Sequence, residues 1–364
     1  MSRLYGKTYL GQRPTKKLQR LNMVLSLSDT LKATVLCLLV ILSFLSNAFV
    51  LIVLVSKERR LLRRPLYLFI LNLCASDLIA CLFTMTFEVS EDFLHRWQYG
   101  QVGCKIIECL EVLLFGVNIF NHLSIAFDRY QNVVYPLKPP MRIQTAKKLL
   151  LGSWCFPTVM ALPYLYTFEL KKEGEDDICV AISWSVKWLD KLYGTVELLC
   201  IFLVPLVCLL WMYFAIVKTL YLRAKQSNNV NASSHHGSTI RAAASYGSRV
   251  SIVVVSVFVI CWLPYIVIFT VRLVTKPENV ERTSTLYVTA LYFSYTNELL
   301  SPVIYCVFDR NIRPAFLRIF RCPFGRRVTV GNLSQNEPLP GNTSRNETLE
   351  DRTECDAVNR QNTS

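Results

Sequence analysis

The chain has 364 residues, 52% of them hydrophobic and only 18% charged, which is too apolar for an ordinary water-soluble domain of this length. Its formal charge of +14 would suit a nucleic-acid partner, but the lysines and arginines stand at the ends of apolar runs instead of forming one basic face, which argues against that class. Thirteen cysteines would suit a disulfide scaffold, yet most of them (Cys37, Cys74, Cys81, Cys109, Cys155, Cys200, Cys208, Cys261, Cys306) lie inside the apolar runs, where they read as small packing residues.

A helix needs about 20 mainly apolar residues to cross a hydrocarbon core of about 30 Å. Such runs fall near residues 33–56, 65–89, 104–133, 146–166, 190–221, 245–274 and 284–307. The expected fold is an all-α membrane protein: a seven-transmembrane helix bundle over 33–307, preceded by an extracellular segment, 1–32. A short amphipathic helix at 308–322 follows the last span, and a disordered cytoplasmic tail occupies 323–364.

Lys57, Arg59, Arg60, Arg63 and Arg64 follow the first span, and Lys138, Arg142, Lys147 and Lys148 follow the third. Arg223, Lys225 and Arg241 come after the fifth, and Arg310, Arg313, Arg318 and Arg321 after the seventh. The positive-inside bias makes these loops cytoplasmic and the N-terminus external. The basic N-terminal segment opposes this assignment, as do the glycosylation sequons at Asn231, Asn332, Asn342, Asn346 and Asn362, all on the side assigned to the cytoplasm. Four internal loops outweigh them.

Polar residues in the third and sixth spans (Asn118, Asn121, His122, Ser251, Ser256) should face the bundle interior, where they can find partners. Asp77 is an ionisable group inside the second span and is therefore expected to be functional. Glu298 is a second buried acid, one turn before Pro302. Two carboxylates in one dry site cannot both ionise without a cation, so the pair either holds a cation or shares a proton, and the shared proton is the favoured reading. Pro205, Pro264 and Pro302 each remove an intrahelical hydrogen bond and permit a kink.

Several motifs stand in order along the spans: Asp77 in LNLCASDLIA, Asp128-Arg129-Tyr130 before VVYPL, Trp154, Pro205, Cys261-Trp262-Leu263-Pro264 and Pro302-Val303-Ile304-Tyr305. Together, from Asn47 to the segment after Tyr305, they make the chain resemble the rhodopsin-like (class A) G-protein-coupled receptors. The resemblance implies a plasma-membrane, multi-pass receptor that binds an extracellular ligand and promotes nucleotide exchange on a heterotrimeric G protein, with arrestin and membrane lipids as further partners. It implies a sodium ion near Asp77, Asn118, Asn297, Glu298 and Ser301, a G-protein contact at Asp128, Arg129, Tyr130, Pro136 and Leu137, and a switch built on Trp262, Pro264, Pro302 and Tyr305. The chain departs from the usual Asn-Pro-x-x-Tyr, reading Ser301-Pro302-Val303-Ile304-Tyr305, and it has no acid between Glu197 and Glu278 to restrain Arg129 from the sixth span.

Cys104 and Cys179 are the only cysteines expected in the oxidising exterior, so they should bridge. Glu111 occupies the position at which amine receptors of the family carry an acid for a ligand ammonium. Glu88 and Glu197 can face the same cavity, together with Phe115, Trp262, Tyr265 and Tyr295. Three acids converging there favour a cationic ligand. The fifth span reads Glu197-Leu198-Leu199 where amine receptors carry serines, so a basic peptide or peptide amide fits better than a catecholamine. The last span has no lysine to form a retinal Schiff base.

Ile312, Phe316, Ile319 and Phe320 form the apolar side of the helix after the last span, and Cys322 beyond it is a palmitoylation candidate or a free thiol. The competing readings are a biogenic-amine receptor and, in another class, a polytopic transporter, although no repeat of the spans supports the latter. Without HExxH, Gly-x-Ser-x-Gly or a Walker loop, the chain is not expected to be an enzyme.

Overall fold

The computed structural model describes residues 16–94, 96–173, 176–182, 186–229, 235–275 and 285–321. Residues 1–15, all five sequons, Cys322 and the 323–364 tail lie outside the described residues.

The first helix, α1 (Lys16–Ile52), begins well before the expected residue 33, so part of the segment assigned to the exterior is helical and continuous with the first span. A wide turn at Val53–Lys57 and a tight one at Arg59–Arg63 lead to α2 (Pro65–Leu82), whose first residue is a proline, a position where its missing N–H costs nothing. The second span is broken at Phe83 and continues as α3 (Thr84–Leu94). There the Thr84 and Thr86 hydroxyls donate to the carbonyls of Ala80 and Cys81 at 3.1 and 2.6 Å, back-bonding of the kind that bends helices. Next come α4 (Gly100–Val134) and α5 (Ile143–Ala161), then a single turn, α6 (Tyr164–Thr167).

A hairpin that the sequence reading missed follows: β1 (Phe168–Glu173) pairs antiparallel with β2 (Asp176–Ala181), with Leu170 opposite Cys179. The fifth span is α7 (Lys187–Glu197), a π-turn at Leu198–Leu203 and α8 (Val204–Asn229). The π-turn ends just before Pro205, whose missing N–H breaks the regular ladder. Then come α9 (His235–Val274), with Pro264 inside it, and α10 (Thr285–Phe308), with Pro302 inside it. The last helix is α11 (Arg313–Arg321).

Five helical stretches are long and apolar enough to cross a bilayer by hydropathy alone, and α4 and α10 are not among them. Their lengths of 35 and 24 residues correspond to about 52 and 36 Å, enough to cross, and their polar groups turn inward. Glu111, Asn118, Asn121, His122, Asp128, Asn297, Glu298 and Ser301 are all buried. Ser251 is buried as expected, but Ser256 is exposed on the outside of α9, because residues 254 and 255 take the inward face of that turn. The outer faces of the helices instead carry Leu151, Val159, Val207 and Phe214, as a lipid-facing surface requires.

At the centre, α4 packs against α2, α5, α8 and α9. Its approach to α5 depends on Gly116: a Cβ there would stand 2.5 Å from Pro157 Cβ. Trp154 Nε1 donates to Asn72 Oδ1 at 2.9 Å, and Asn72 Nδ2 to Asn121 Oδ1 at 2.8 Å, tying α5, α2 and α4 together. Asn47 Nδ2 donates to the Glu298 carbonyl at 2.8 Å, fixing α1 to α10. Ile312 is fully buried ahead of α11, and Phe316 sets its ring against Phe49 at 5.8 Å.

Candidate functional site

The outer cavity, about 280 Å³, lies between α4, α7, α9 and α10 under the hairpin. The Cys104–Cys179 disulfide joins the start of α4 to β2 across 75 residues, and the Trp97 amide donates to the Asp177 carbonyl at 2.7 Å, so the hairpin is held as a roof.

Glu108 and Glu111, three residues apart, project from one face of α4, with Phe115 a turn further in. Asp190, Tyr193 and Glu197 do the same on α7. That helix lies close against α9, where a Cβ on Gly194 would stand 2.7 Å from Leu273 Cδ1. The wall thus carries four carboxylates and no lysine or arginine among the described residues. Eight aromatic rings surround them: Phe115, Tyr164, Phe168, Tyr193, Phe202, Tyr265, Phe269 and Tyr287. Glu197 is buried, with each carboxylate oxygen 3.0 Å from the Tyr164 hydroxyl, and Tyr164 stacks on Phe168 at 5.5 Å. The Tyr193 hydroxyl donates to the Met160 carbonyl.

Four of the expected ligand residues, Glu111, Glu197, Phe115 and Tyr265, line this cavity. Three do not. Glu88, half-buried on α3 beyond the break at Phe83, is not among the lining residues. Trp262 lies beneath Phe115, edge to face at 4.7 Å, and Tyr295 is fully buried with its ring 6.5 Å from that of Phe115. Phe115 therefore forms the floor. Sequence reasoning missed Glu108, Asp190, Tyr164, Tyr193, Phe202, Phe269 and Tyr287, although the three-residue spacing of Glu108 from Glu111 was a legible signal.

The buried polar cluster lies deeper. Asn118 Nδ2 donates to Asp77 Oδ1 at 2.9 Å, Asn297 Nδ2 to Asn118 Oδ1 at 3.4 Å, and the Ser301 hydroxyl to Asn297 Oδ1 at 3.3 Å. Asp77 Oδ2 and Glu298 Oε2 are buried without a protein hydrogen-bond partner. This all-oxygen donor set fits a hard cation, and equally a proton held between two acids. Below it His122 stacks on Phe258 at 4.4 Å.

At the opposite end of the bundle, a cavity of about 590 Å³ is lined by Asp128, Arg129 and Tyr305 among others. Arg129 Nε and Nη2 donate to Asp128 Oδ2 at 3.0 and 2.6 Å. Tyr130 lies outside this cavity, its ring 5.2 Å from that of Trp211. Pro136 and Leu137 are exposed in the following loop, Leu137 fully so.

Residues 46–305 match the 7 transmembrane receptor (rhodopsin family). The chain is 27% identical to the substance-K receptor of Rattus norvegicus, over 80% of this chain and 74% of that one. It is 28% identical to the histamine H2 receptor of Rattus norvegicus, over 82% of each, and 24% identical to a QRFP-like peptide receptor of Branchiostoma floridae, over 76% of this chain and 74% of that one. The family match runs from within the first span to Tyr305, a stretch that holds the outer cavity, the buried acid pair and most of the wall of the inner cavity. The chain belongs to the rhodopsin family of G-protein-coupled receptors, multi-pass receptors of the plasma membrane and not enzymes.

Proposed function

We propose that this receptor takes a cationic ligand, a peptide presenting a basic or amidated end, into the outer cavity, and that binding promotes nucleotide exchange on a heterotrimeric G protein at the Arg129 end. The observation that carries the reading is the wall itself: Glu108, Glu111, Asp190 and Glu197 with eight aromatic rings and no basic residue among the described residues. A carboxylate offers a charge-assisted hydrogen bond to ammonium or guanidinium, and ring faces attract the same groups. About 280 Å³ suits one basic side chain or terminus inserted below the hairpin. The same volume also suits a small amine, which is the second reading, and the substance-K and histamine H2 receptors among the relatives fit the two readings in turn.

In this reading the N-terminus and hairpin face outward, and Asp128, Arg129, Tyr130, Pro136 and Leu137 meet the G protein, with arrestin as a later partner at the same face. Trp262, Pro264, Pro302 and Tyr305 relay the signal, because Trp262 touches the cavity floor at Phe115 while Tyr305 lines the inner cavity. Asp77 and Glu298 share one proton, and a sodium ion on the same oxygens is the alternative. The test is a panel of amines and amidated basic peptides applied to cells expressing the receptor with a promiscuous G protein. Activation by basic peptides supports the first reading, activation by amines alone supports the second, and activation only by acidic or neutral ligands contradicts both.

A further inference from the structure

The inner cavity carries more positive charge than the Asp128–Arg129 pair accounts for. Arginines enter it from three directions: Arg63 and Arg64 ahead of α2, Arg129 from α4, and Arg310 from the joint before α11. Its two acids are both committed. Asp128 lies 2.6 Å from Arg129. Asp309 accepts the Tyr67 hydroxyl at 3.2 Å and the amides of Asn311 and Ile312 at 2.8 and 3.1 Å, which caps the turn into α11.

Arg63 and Arg64, by contrast, are exposed and have no ion-pair partner among the described residues. The positive-inside bias accounts for arginines at a span end. It does not account for two unpaired guanidiniums on one concave wall beside the start of α2, where Arg64 is the cap residue and no side chain caps the helix. The start of α2 adds the positive end of the helix dipole and the Leu66 amide, since Pro65 has no N–H and the Tyr67 amide donates to the Arg64 carbonyl at 3.1 Å. The guanidinium fork matches phosphate oxygens two at a time, and about 590 Å³ suits a compact small molecule.

We propose that the inner cavity binds a compact polyanion bearing phosphate monoesters, either the headgroup of a membrane phosphoinositide or a soluble inositol polyphosphate. Arg63 and Arg64 are its principal contacts, with Arg310 at the rim. The bound anion occupies space beside Arg129, so it competes with the G protein. That consequence rests on the coupling role proposed for Arg129, whereas the binding itself does not.

The experiment uses the purified full-length receptor in nanodiscs, which expose both faces, so the result is independent of membrane orientation. One arm adds phosphatidylinositol bisphosphate to phosphatidylcholine, with phosphatidylserine at equal charge as control, and the other adds inositol hexakisphosphate to plain phosphatidylcholine discs. The expected result is a saturable rise in thermal midpoint with either phosphate probe and none with phosphatidylserine. Arg63→Gln/Arg64→Gln should weaken the apparent affinity about tenfold or more without moving the probe-free midpoint. A response to the lipid alone identifies a membrane headgroup as the source, and a response to inositol hexakisphosphate identifies a soluble one. No shift with either probe, or a shift that survives the double substitution, overturns the proposal. If the double variant does not fold, Arg64→Lys keeps the charge but loses the fork, and unchanged affinity there overturns it equally.

Discussion

The Tyr164 hydroxyl stands 3.0 Å from both carboxylate oxygens of Glu197, so a buried acid on α7 is oriented by a neutral group at the end of the neighbouring fourth span. A tyrosine supplies a hydrogen bond without a positive charge, where an arginine in the same place would have formed an ion pair. The arrangement presents the carboxylate to the cavity.

Tyr164→Phe should therefore lower the potency of a cationic agonist about fivefold, the effect of one lost hydrogen bond of about 1 kcal/mol, while Glu197→Gln should lower it about tenfold or more. Concentration–response curves at matched surface expression read both. Equal potency in wild type and Glu197→Gln removes Glu197 from the ligand contact.

The hairpin roof depends on one covalent tie and a few hydrogen bonds. Cys104→Ala and Cys179→Ala should each abolish surface ligand binding, because the bridge ties the hairpin to α4 across 75 residues, a cross-link that stabilises by about 4 kcal/mol through its constraint on the unfolded chain. Binding to intact cells is the measurement, and normal binding by either variant contradicts the role given to the hairpin.

Gly116→Ala places a methyl 2.5 Å from Pro157 Cβ and 2.8 Å from its Cγ, both on a rigid ring that cannot turn away. Overpacking of this kind costs about 1–3 kcal/mol, so the thermal midpoint of the purified receptor should fall by several degrees. An unchanged midpoint means that α4 and α5 separate freely.

Asp128 grips Arg129 at 2.6 Å, and the sequence offers no acid between Glu197 and Glu278 to assist it. Asp128→Asn should raise ligand-free nucleotide exchange about fivefold, which corresponds to losing about 1 kcal/mol of a partly exposed contact present only in the resting packing. Equal basal rates at matched expression assign the resting state to apolar packing instead.

The spans and the bridge were legible because each depends on local chemistry: hydropathy, charge placement, or two cysteines on one side of a membrane. The extent of α1 was not, since hydropathy reports where lipid begins and helices continue past it. The break in the second span was not legible either, since two threonine hydroxyls, at Thr84 and Thr86, accompany it, and back-bonding leaves no hydrophobic period to read. Ser256 was assigned inward from its polarity alone, without its angle on α9. Asp190 and Tyr193 escaped notice because α7 precedes a π-turn that sets which face of the fifth span meets the cavity. The hairpin was missed because no turn signature between β1 and β2 was read.

The central claim, that the acid-lined cavity recognises positive charge, is tested most directly by a double-mutant cycle. An active cationic ligand and its uncharged isostere are compared on wild type and on Glu111→Gln by agonist-driven nucleotide exchange. The account predicts that neutralising the ligand costs about tenfold or more in potency on wild type and much less on Glu111→Gln, because the two changes remove the same contact. Equal potency of the charged and uncharged ligands on wild type would contradict it.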